Sequence, residues 1–272
     1  MPPPRATPSA PFDSAATAAR SHAAYWLRLA RSAADLRAVQ ALRFEVFNLE
    51  LDEGLAQSYD TGLDADAFDA HCDHLLVQDT DGAVVGTYRL QTGLRAAQNL
   101  GYYSAREFDF SPFEPQRGQI LELGRACIAQ RHRSFAVLNL LWKGIAAYAR
   151  EQGARYLIGC SSLTSSQDPA TGAAAWRVLA AHRAPPAWWT TPLPAWACPL
   201  DVPAAALHSP APATPPAPVH IPRLLSAYLA LGAAVCGPPA IDREFRTIDF
   251  LTWLDIESPA VQAMQQRGRF VG

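Results

Sequence analysis

The stretch Ile120-Leu121-Glu122-Leu123-Gly124-Arg125-Ala126-Cys127-Ile128 reads as a long apolar strand with a glutamate and an arginine set into it. Strict alternation along a strand sends residues three apart to opposite faces. A glycine inside a strand often marks a bulge, which resets the alternation. A bulge at Gly124 therefore aims Glu122 and Arg125 into one cleft. The plainer reading is a structural ion pair, because buried charges need partners. The residues that follow decide the fold. Ser134 to Gln152 puts Phe135, Leu138, Leu141, Trp142, Ile145 and Tyr148 on one helical stripe and ends at Gly153. Arg155 to Ser161 (RYLIGCS) is again a strand. The centre of the chain is a strand-helix-strand step.

Working outward, Tyr25 to Ala30 reads as a strand. Ser32 looks like an N-cap with Asp35 in a capping-box variant. Leu36, Val39, Leu42, Val46 and Leu49 then follow at helical spacing. His74–Gln78 and Ala83–Leu90 are strands joined by Asp81-Gly82, a strong hairpin signal. Downstream, helices are expected at Gly172–Arg183 and Arg223–Leu231, and returning strands at Ala233–Cys236 and Thr247–Leu254. Hairpin-linked strands followed by a β-α-β step make an α+β protein, a mixed sheet flanked by helices.

Of the 23 prolines, residues 1–24 hold five and residues 185–222 hold twelve. Such clustering marks irregular chain. The expected organisation is a disordered extension over 1–24, one domain over 25–256 containing an irregular proline-rich loop at 185–222, and a tail over 257–272. That loop carries Trp188, Trp189 and Trp196.

A net charge of -2, from 23 basic and 25 acidic residues, gives no field for nucleic acid. The five cysteines form no C-x-x-C pair, so neither a disulfide framework nor zinc is expected, and the usage suits a reducing cytoplasm. The N-terminus has no apolar signal core, and no run of 18 or more apolar residues exists, so any membrane contact is expected to be peripheral.

Three further segments carry candidate chemistry. Gln130-Arg131-His132-Arg133-Ser134 opens the long helix, where basic side chains and free N–H groups can hold an anion; the plainer alternative is a solvated basic turn. It lacks P-loop glycines, so ATP is a poor fit. The stretch from Asp66 to His74 holds Asp69, His71, Cys72 and Asp73, and suits a cationic amine, a metal or plain solvent. Metal is the weakest of these, since the spacing matches no zinc pattern. Arg43 and Arg89 each read alone as salt-bridge formers. No G-x-S-x-G elbow occurs, and Cys160 reads as a packed thiol.

Together the motifs resemble a known family. R-F-E-V-F-x-x-E at Arg43–Glu50, F-D-x-x-C-D-H-L at Phe68–Leu75, G-T-Y-R-L at Gly86–Leu90, L-E-L-G-R-x-C-I at Leu121–Ile128, L-L-W-K-G-I at Leu140–Ile145 and I-G-C-S-S at Ile158–Ser162 are similar to the bacterial L-ornithine N-α-acyltransferases, which begin ornithine-lipid synthesis. Leu224–Ala233 and Asp242–Phe250 resemble that family's C-terminal segment. The kinship implies a GNAT fold like that of the acyl-homoserine lactone synthases, with a splayed mixed sheet and the donor's pantetheine between two central strands. It implies a fatty-acyl donor on acyl carrier protein, with ornithine as acceptor; the poor ligand spacing of the Asp66–His74 stretch leads us to expect no metal, and no cofactor is expected beyond the carrier thioester. Arg43, Asp69 with Asp66 or Asp73, Arg89, Glu122 and Arg125 match the family's recurring polar positions. The phosphate loop departs from the glycine-rich GNAT pattern, which suits a donor with one phosphodiester.

The expected reaction is amide formation on a thioester. An α-amine is mostly protonated near neutrality, so a carboxylate must position it and take a proton. Glu122 is the candidate base, with Arg125 beside it; burial raises its pKa and Arg125 lowers it. Backbone N–H groups freed by the bulge around Gly124–Cys127 would meet the oxyanion. Asp69, Asp73, His74, Arg43 and Arg89 are the expected acceptor-site residues. Cys127, Arg131, Arg133 and Ser134 are the expected donor-site residues. Two alternatives remain: another amine acceptor, such as glycine, tyrosine or an adenosylmethionine-derived amine, or a non-catalytic member that binds carrier protein or lipid.

Overall fold

The computed structural model describes residues 25–163, 167–200 and 219–266. The extension expected over 1–24, positions 201–218 of the proline-rich loop and the last six residues lie outside the described residues.

The sheet is built around β4 (Ile120–Ile128). On one side β4 runs antiparallel to β3 (Val84–Thr92), which pairs β2 (Asp73–Gln78), which pairs β1 (Trp26–Leu29). On the other side β4 runs parallel to β5 (Tyr156–Leu163). β8 (Thr247–Asp255) pairs β5 and also carries β6 (Ala234–Val235) and β7 (Ala240–Asp242). The mixed eight-stranded sheet follows the order β1-β2-β3-β4-β5-β8-β6. The hairpin between β2 and β3 closes at Asp79–Ala83, where Gly82 takes φ +81, a conformation open to glycine.

The crossover from β4 to β5 is α4 (Phe135–Glu151), with Ser134 as N-cap accepting the Val137 N–H and Gly153 beyond the C-terminus at φ +66. Its Val137, Leu141, Trp142, Ile145 and Tyr148 pack on Leu75, Val77 and Leu121 of the sheet. Leu141 is fully buried, and truncating it to alanine is worth about 2–5 kcal/mol. Phe135 departs from the expected stripe. It stands at the first helical position and is 65% exposed.

The first helix, α1 (Ala33–Phe44), also departs from its pattern. It passes into a π-helical turn over Glu45–Glu50. The wider turn shifts the phase of the stripe, so Val46 stays buried while Leu49 is turned out to 62% exposure. Ser32 caps α1 as expected, but the Asp35 carboxylate accepts the N–H of Arg31 and pairs with Arg28 instead of closing a capping box.

The opposite face of the sheet is covered by short helical turns between Ser104 and Gln119. They bring Phe108, Phe110 and Phe113 onto Ile120, Ile158 and Leu251. Part of the proline-rich loop packs here too. Trp188 lies against Tyr156 and Trp253, with ring centroids 4.6 and 4.8 Å away, and Trp189 meets Trp176 at 5.8 Å. The helix expected at Gly172 begins earlier, as α5 (Pro169–Val178), because Asp168 caps it and proline fits its first turn. The segment read as a tail contains a helix, Pro259–Gln266, whose Val261 is buried in the α4 core.

Candidate active site

β4 and β5 pair only at Ile120↔Tyr156, Leu121↔Leu157 and Glu122↔Ile158. Beyond Glu122 the two strands part. Gly159 stands at the fork, where an added Cβ would lie 2.2 Å from the Leu123 carbonyl oxygen. The β5-facing edge of β4 past Glu122 has no partner strand among the described residues, so its backbone donors and acceptors are open.

A cavity of about 840 Å³ fills the fork. Leu138, Trp142, Ile145, Leu157, Leu231 and Leu254 form its apolar wall. Tyr88 and Tyr228, also in the wall, join their hydroxyls by a hydrogen bond. Glu122, Arg125, Arg89 and Ser104 form its polar end. A largely apolar space with a few convergent polar groups suits an acyl chain carrying one reacting centre.

The bulge is present. Thr87 pairs Cys127 but Arg89 pairs Gly124, so Arg125 and Ala126 together oppose Tyr88. The left-handed residue is Arg125, at φ +48, and not the glycine before it. A non-glycine residue in that region is strained and must be held by its surroundings. The bulge brings Glu122 and Arg125 to the same cavity, as expected, but it does not pair them. Arg125 pairs with Asp66 at 2.9 Å and Asp64 at 3.3 Å, and lies over the rings of Phe245 and Tyr103 at 4.4 and 5.0 Å.

Glu122 is 4% exposed. Its two carboxylate oxygens accept the backbone N–H groups of Tyr103 and Ser104, each at 2.8 Å. Burial pushes the Glu122 carboxyl above its usual range. The two N–H groups and the more distant Arg89 oppose that shift without cancelling it. Arg125 makes no ion pair with Glu122 and is paired with Asp64 and Asp66 instead, which corrects the sequence expectation of a Glu122–Arg125 pair.

The other acidic and basic motif residues form a second structure beside the cavity. Arg43 of α1, Arg89 of β3 and Arg125 of β4 interlock with Asp64, Asp66 and Asp69. Arg43 bonds Asp64 at 2.7 Å and Asp69 at 2.9 Å. Arg89 bonds Asp66 at 2.7 Å and Asp69 at 3.0 Å. Gln40 completes Asp69 at 2.9 Å. Burial opposes ionisation of Asp69, but Arg43 and Arg89 outweigh it and hold the carboxyl well below its usual range. Three arginines against three aspartates leave no net charge to attract an amine.

Asp69 therefore does not face the cavity as an acceptor-binding group, and neither do Arg43, His74 and Asp73. His74 donates its Nε2–H to the Asp69 carbonyl oxygen, 3.1 Å away, and Asp73 binds Arg95 and the Tyr148 hydroxyl, both at 2.6 Å. Of the expected acceptor-site residues, Arg89 alone is in the cavity wall. In this chain these motif residues form a brace that joins β3, β4 and α1 beside the fork.

Of the donor-site residues, Cys127, Arg133 and Ser134 line the cavity. Arg133 bonds Glu50 at 2.7 Å and the Ile128 carbonyl oxygen at 3.0 Å, tying the entry of α4 to the π-helical turn. Arg131 is exposed, does not line the cavity and makes no ion pair among the described residues. Burial pushes the Cys127 thiol up to about 12, and Cys160 well above its usual value, so both are packed thiols, not nucleophiles.

Sequence reasoning missed four contributors. Tyr103 and Ser104 present N–H groups from a turn with no periodic signal. Asp64 looked like any loop acid, although its spacing from Asp66 places both against arginines. Asp249, which also lines the cavity, lies inside an ordinary alternating strand, β8.

A splayed parallel pair, a β4 bulge and a cavity ending on a raised carboxyl define an acyltransferase of the GNAT class. The model of the acetyltransferase (GNAT) domain family matches residues 42–143. The chain is 36% identical over 247 residues to an L-ornithine N(alpha)-acyltransferase of Brucella abortus (strain 2308), covering 85% of this chain and 84% of that one. A protein of the same name from Agrobacterium fabrum is 34% identical over 243 residues, covering 86% and 81%. The chain belongs to the L-ornithine N(alpha)-acyltransferase family. Among solved structures, the fold is similar to the acyl-homoserine lactone synthase LasI (TM-score 0.51, 12% identity, 89% of this chain and 95% of that chain). It is also similar to FeeM, an N-acyl amino acid synthase from uncultured soil microbes (TM-score 0.50, 11% identity, 88% and 98%).

Proposed function

We propose that this acyltransferase moves a fatty-acyl group, in the 3-hydroxyacyl form, from acyl carrier protein to the α-amine of L-ornithine, giving lyso-ornithine lipid. The observation that carries the reading is the similarity, over 85% of the chain, to relatives named for ornithine acylation.

The thioester carbonyl lies at the fork, with its acyl chain along Leu138, Trp142 and Ile145. Glu122 takes a proton from the ornithine α-ammonium, directly or through water. A carboxylate with a raised pKa is the stronger base for this step. The freed amine nitrogen bonds to the carbonyl carbon, and the oxyanion meets open N–H groups of β4. The tetrahedral intermediate then expels the pantetheine thiolate, which takes up a proton as the amide forms. Arg125, held by Asp64 and Asp66, faces the acceptor's carboxylate.

Arg131 and Ser134 at the start of α4 meet the single phosphodiester of the carrier arm, with Arg133 braced behind them. Exposed Arg131 and Phe135 give the acidic carrier protein a basic and apolar docking edge. No helix among the described residues is long and apolar enough to cross a membrane. The amphiphilic product would leave toward a bilayer through peripheral contact. No metal or cofactor enters this chemistry.

The test is incubation of the purified chain with 3-hydroxyacyl carrier protein and ornithine, with thiol release and product mass followed together. Thiol release and an α-N-acylornithine mass support the reading. Amide formation only with glycine, tyrosine or another amine contradicts it.

A further inference from the structure

A second group of carboxylates lies on the same sheet face as Glu122. Side chains two apart on a strand share a face, and directly paired residues share it too. Glu122 pairs Ile158, and Cys160 and Ser162 follow on that face of β5. Ser162 pairs Asp249, and Thr247, two residues before Asp249, pairs Asp242. Asp242 and Asp249 line the cavity with Glu122. Glu107 backs Asp249 from the turn that also supplies the Ser104 N–H to Glu122, and Phe108 of that turn bonds the Ser104 carbonyl.

These acids are deeply buried: Glu107 is 1%, Asp242 2% and Asp249 4% exposed. None of the three makes an ion pair among the described residues. Glu107 Oε2 and Asp249 Oδ1 have no hydrogen-bond partner. The neighbouring arginines are used elsewhere, Arg106 on Glu244 at 3.6 Å and Arg246 on Asp52 at 2.8 Å. Two facing buried carboxyls without a cation are costly, and either a shared proton or a bound cation relieves them. Burial pushes both Glu107 and Asp249 upward; Asp249 and Asp242 add to the rise at Glu107, and Asp242 adds to it at Asp249, where a hydrogen bond from Glu107 opposes it.

Resting on the ornithine reading, we infer that Asp249, backed by Glu107 and flanked by Asp242, binds the side-chain ammonium of the acceptor and selects a diamino acid. Ile158 and Ser162, the partners of Glu122 and Asp249, are about 13 Å apart along β5 before either carboxylate reaches inward. An extended amino acid with three methylenes between its Cα and its second nitrogen would lie along that strip over Cys160. Its α-amine would meet Glu122 and its δ-ammonium Asp249. A metal is the competing occupant, because ligand atoms of Glu107, Cys160 and Asp249 lie within 4.8 Å of one another. The Cys160 thiol stays protonated, which makes it a poor ligand.

The experiment compares ornithine with norvaline, which lacks the δ-amine, as acceptors for the full chain and for Asp249→Asn and Glu107→Gln. Amide formation and ligand-induced thermal shift are both read, with acyl carrier protein and CoA thioesters as donors. The unaltered chain is expected to prefer ornithine in kcat/KM. Asp249→Asn is expected to lower the ornithine-to-norvaline ratio on the order of 10- to 100-fold, as for loss of a hydrogen bond to a charged group. Glu107→Gln, which keeps the size of the side chain, is expected to lower the ratio less. Equal use of both acceptors by the unaltered chain, or an unchanged ratio in the variants, overturns the inference while leaving N-acylation intact. Activity removed by a chelator and restored by zinc also overturns it. Absence of acylation of any amino acid defeats the underlying ornithine reading instead.

Discussion

Nη2 of Arg125 lies 2.9 Å from Oδ2 of Asp66, although Glu122 stands only three residues away on the same strand. The bulge aims both charges at the cavity, but loop 64–69 intercepts the guanidinium. Glu122 is left with backbone N–H groups for partners. A carboxylate held only by neutral donors keeps more of its basicity than one paired with a cation.

Energetic coupling should therefore follow the observed pairs. Arg125→Gln leaves Asp66 and Asp64 short of a cation and is expected to cost about 3 kcal/mol of stability, near the usual cost of breaking a buried pair. A double-mutant cycle with Asp66→Asn is expected to show coupling of about 1 kcal/mol or more, whereas the cycle with Glu122→Gln is near additive. Chemical denaturation of the single and double variants measures both. Strong coupling between Glu122 and Arg125 would contradict the arrangement.

The Glu107–Asp249 pair sets a pH trend. Both folded carboxyls titrate above the unfolded value of about 4. Their contribution to stability is complete below that value and is lost as pH rises through the folded pKa values. Glu107→Gln removes one carboxyl, so its melting temperature relative to the unaltered chain is expected to rise between pH 5 and pH 8 (approximate limits). A difference that is flat with pH, or falls, would count against two facing carboxyls.

Gly159→Ala tests the fork. The new Cβ would meet the Leu123 carbonyl at 2.2 Å, and that residue is held in place by its pairing with Leu90 of β3. Loss of about 1–3 kcal/mol is expected, as in other overpacked sites, together with reduced acyl transfer. A variant with normal melting and normal rate would show that β4 and β5 part more freely than described.

Much of this fold was legible. The α4 stripe, the Asp79–Ala83 hairpin and the returning β8 follow from period and turn chemistry. Gly124 announced the bulge, because glycine in an apolar strand has few other uses. Leu49 was misread because nothing in a helical pattern signals a π-turn. The site was harder to read. The Asp64–Asp69 loop showed its charges but not its partners, which come from α1, β3 and β4. The Tyr103–Ser104 clamp on Glu122 lies in irregular turns, where composition carries no register. Asp249 differs from a surface strand residue only after β5 and β7 have covered it.

Leu138→Trp probes the apolar wall. Leu138 lines the cavity from α4 and is only partly buried, so a larger ring can enter the space without rebuilding the core. The acyl products are expected to shift to shorter chains, measured by mass spectrometry with mixed donors. An unchanged chain-length profile would move the acyl chain away from this wall.

The central claim is that Glu122 removes the proton from the attacking amine. The most direct measurement is single-turnover acyl transfer to ornithine by Glu122→Gln, which keeps the size of the side chain and an acceptor oxygen but not the base. The account predicts a fall on the order of 10²–10⁴-fold in rate, the usual range for a lost general base, with the loss of an acid limb in the pH profile that lies above the ordinary glutamate range. A Glu122→Gln enzyme that folds normally and turns over within a few-fold of the unaltered chain would contradict it.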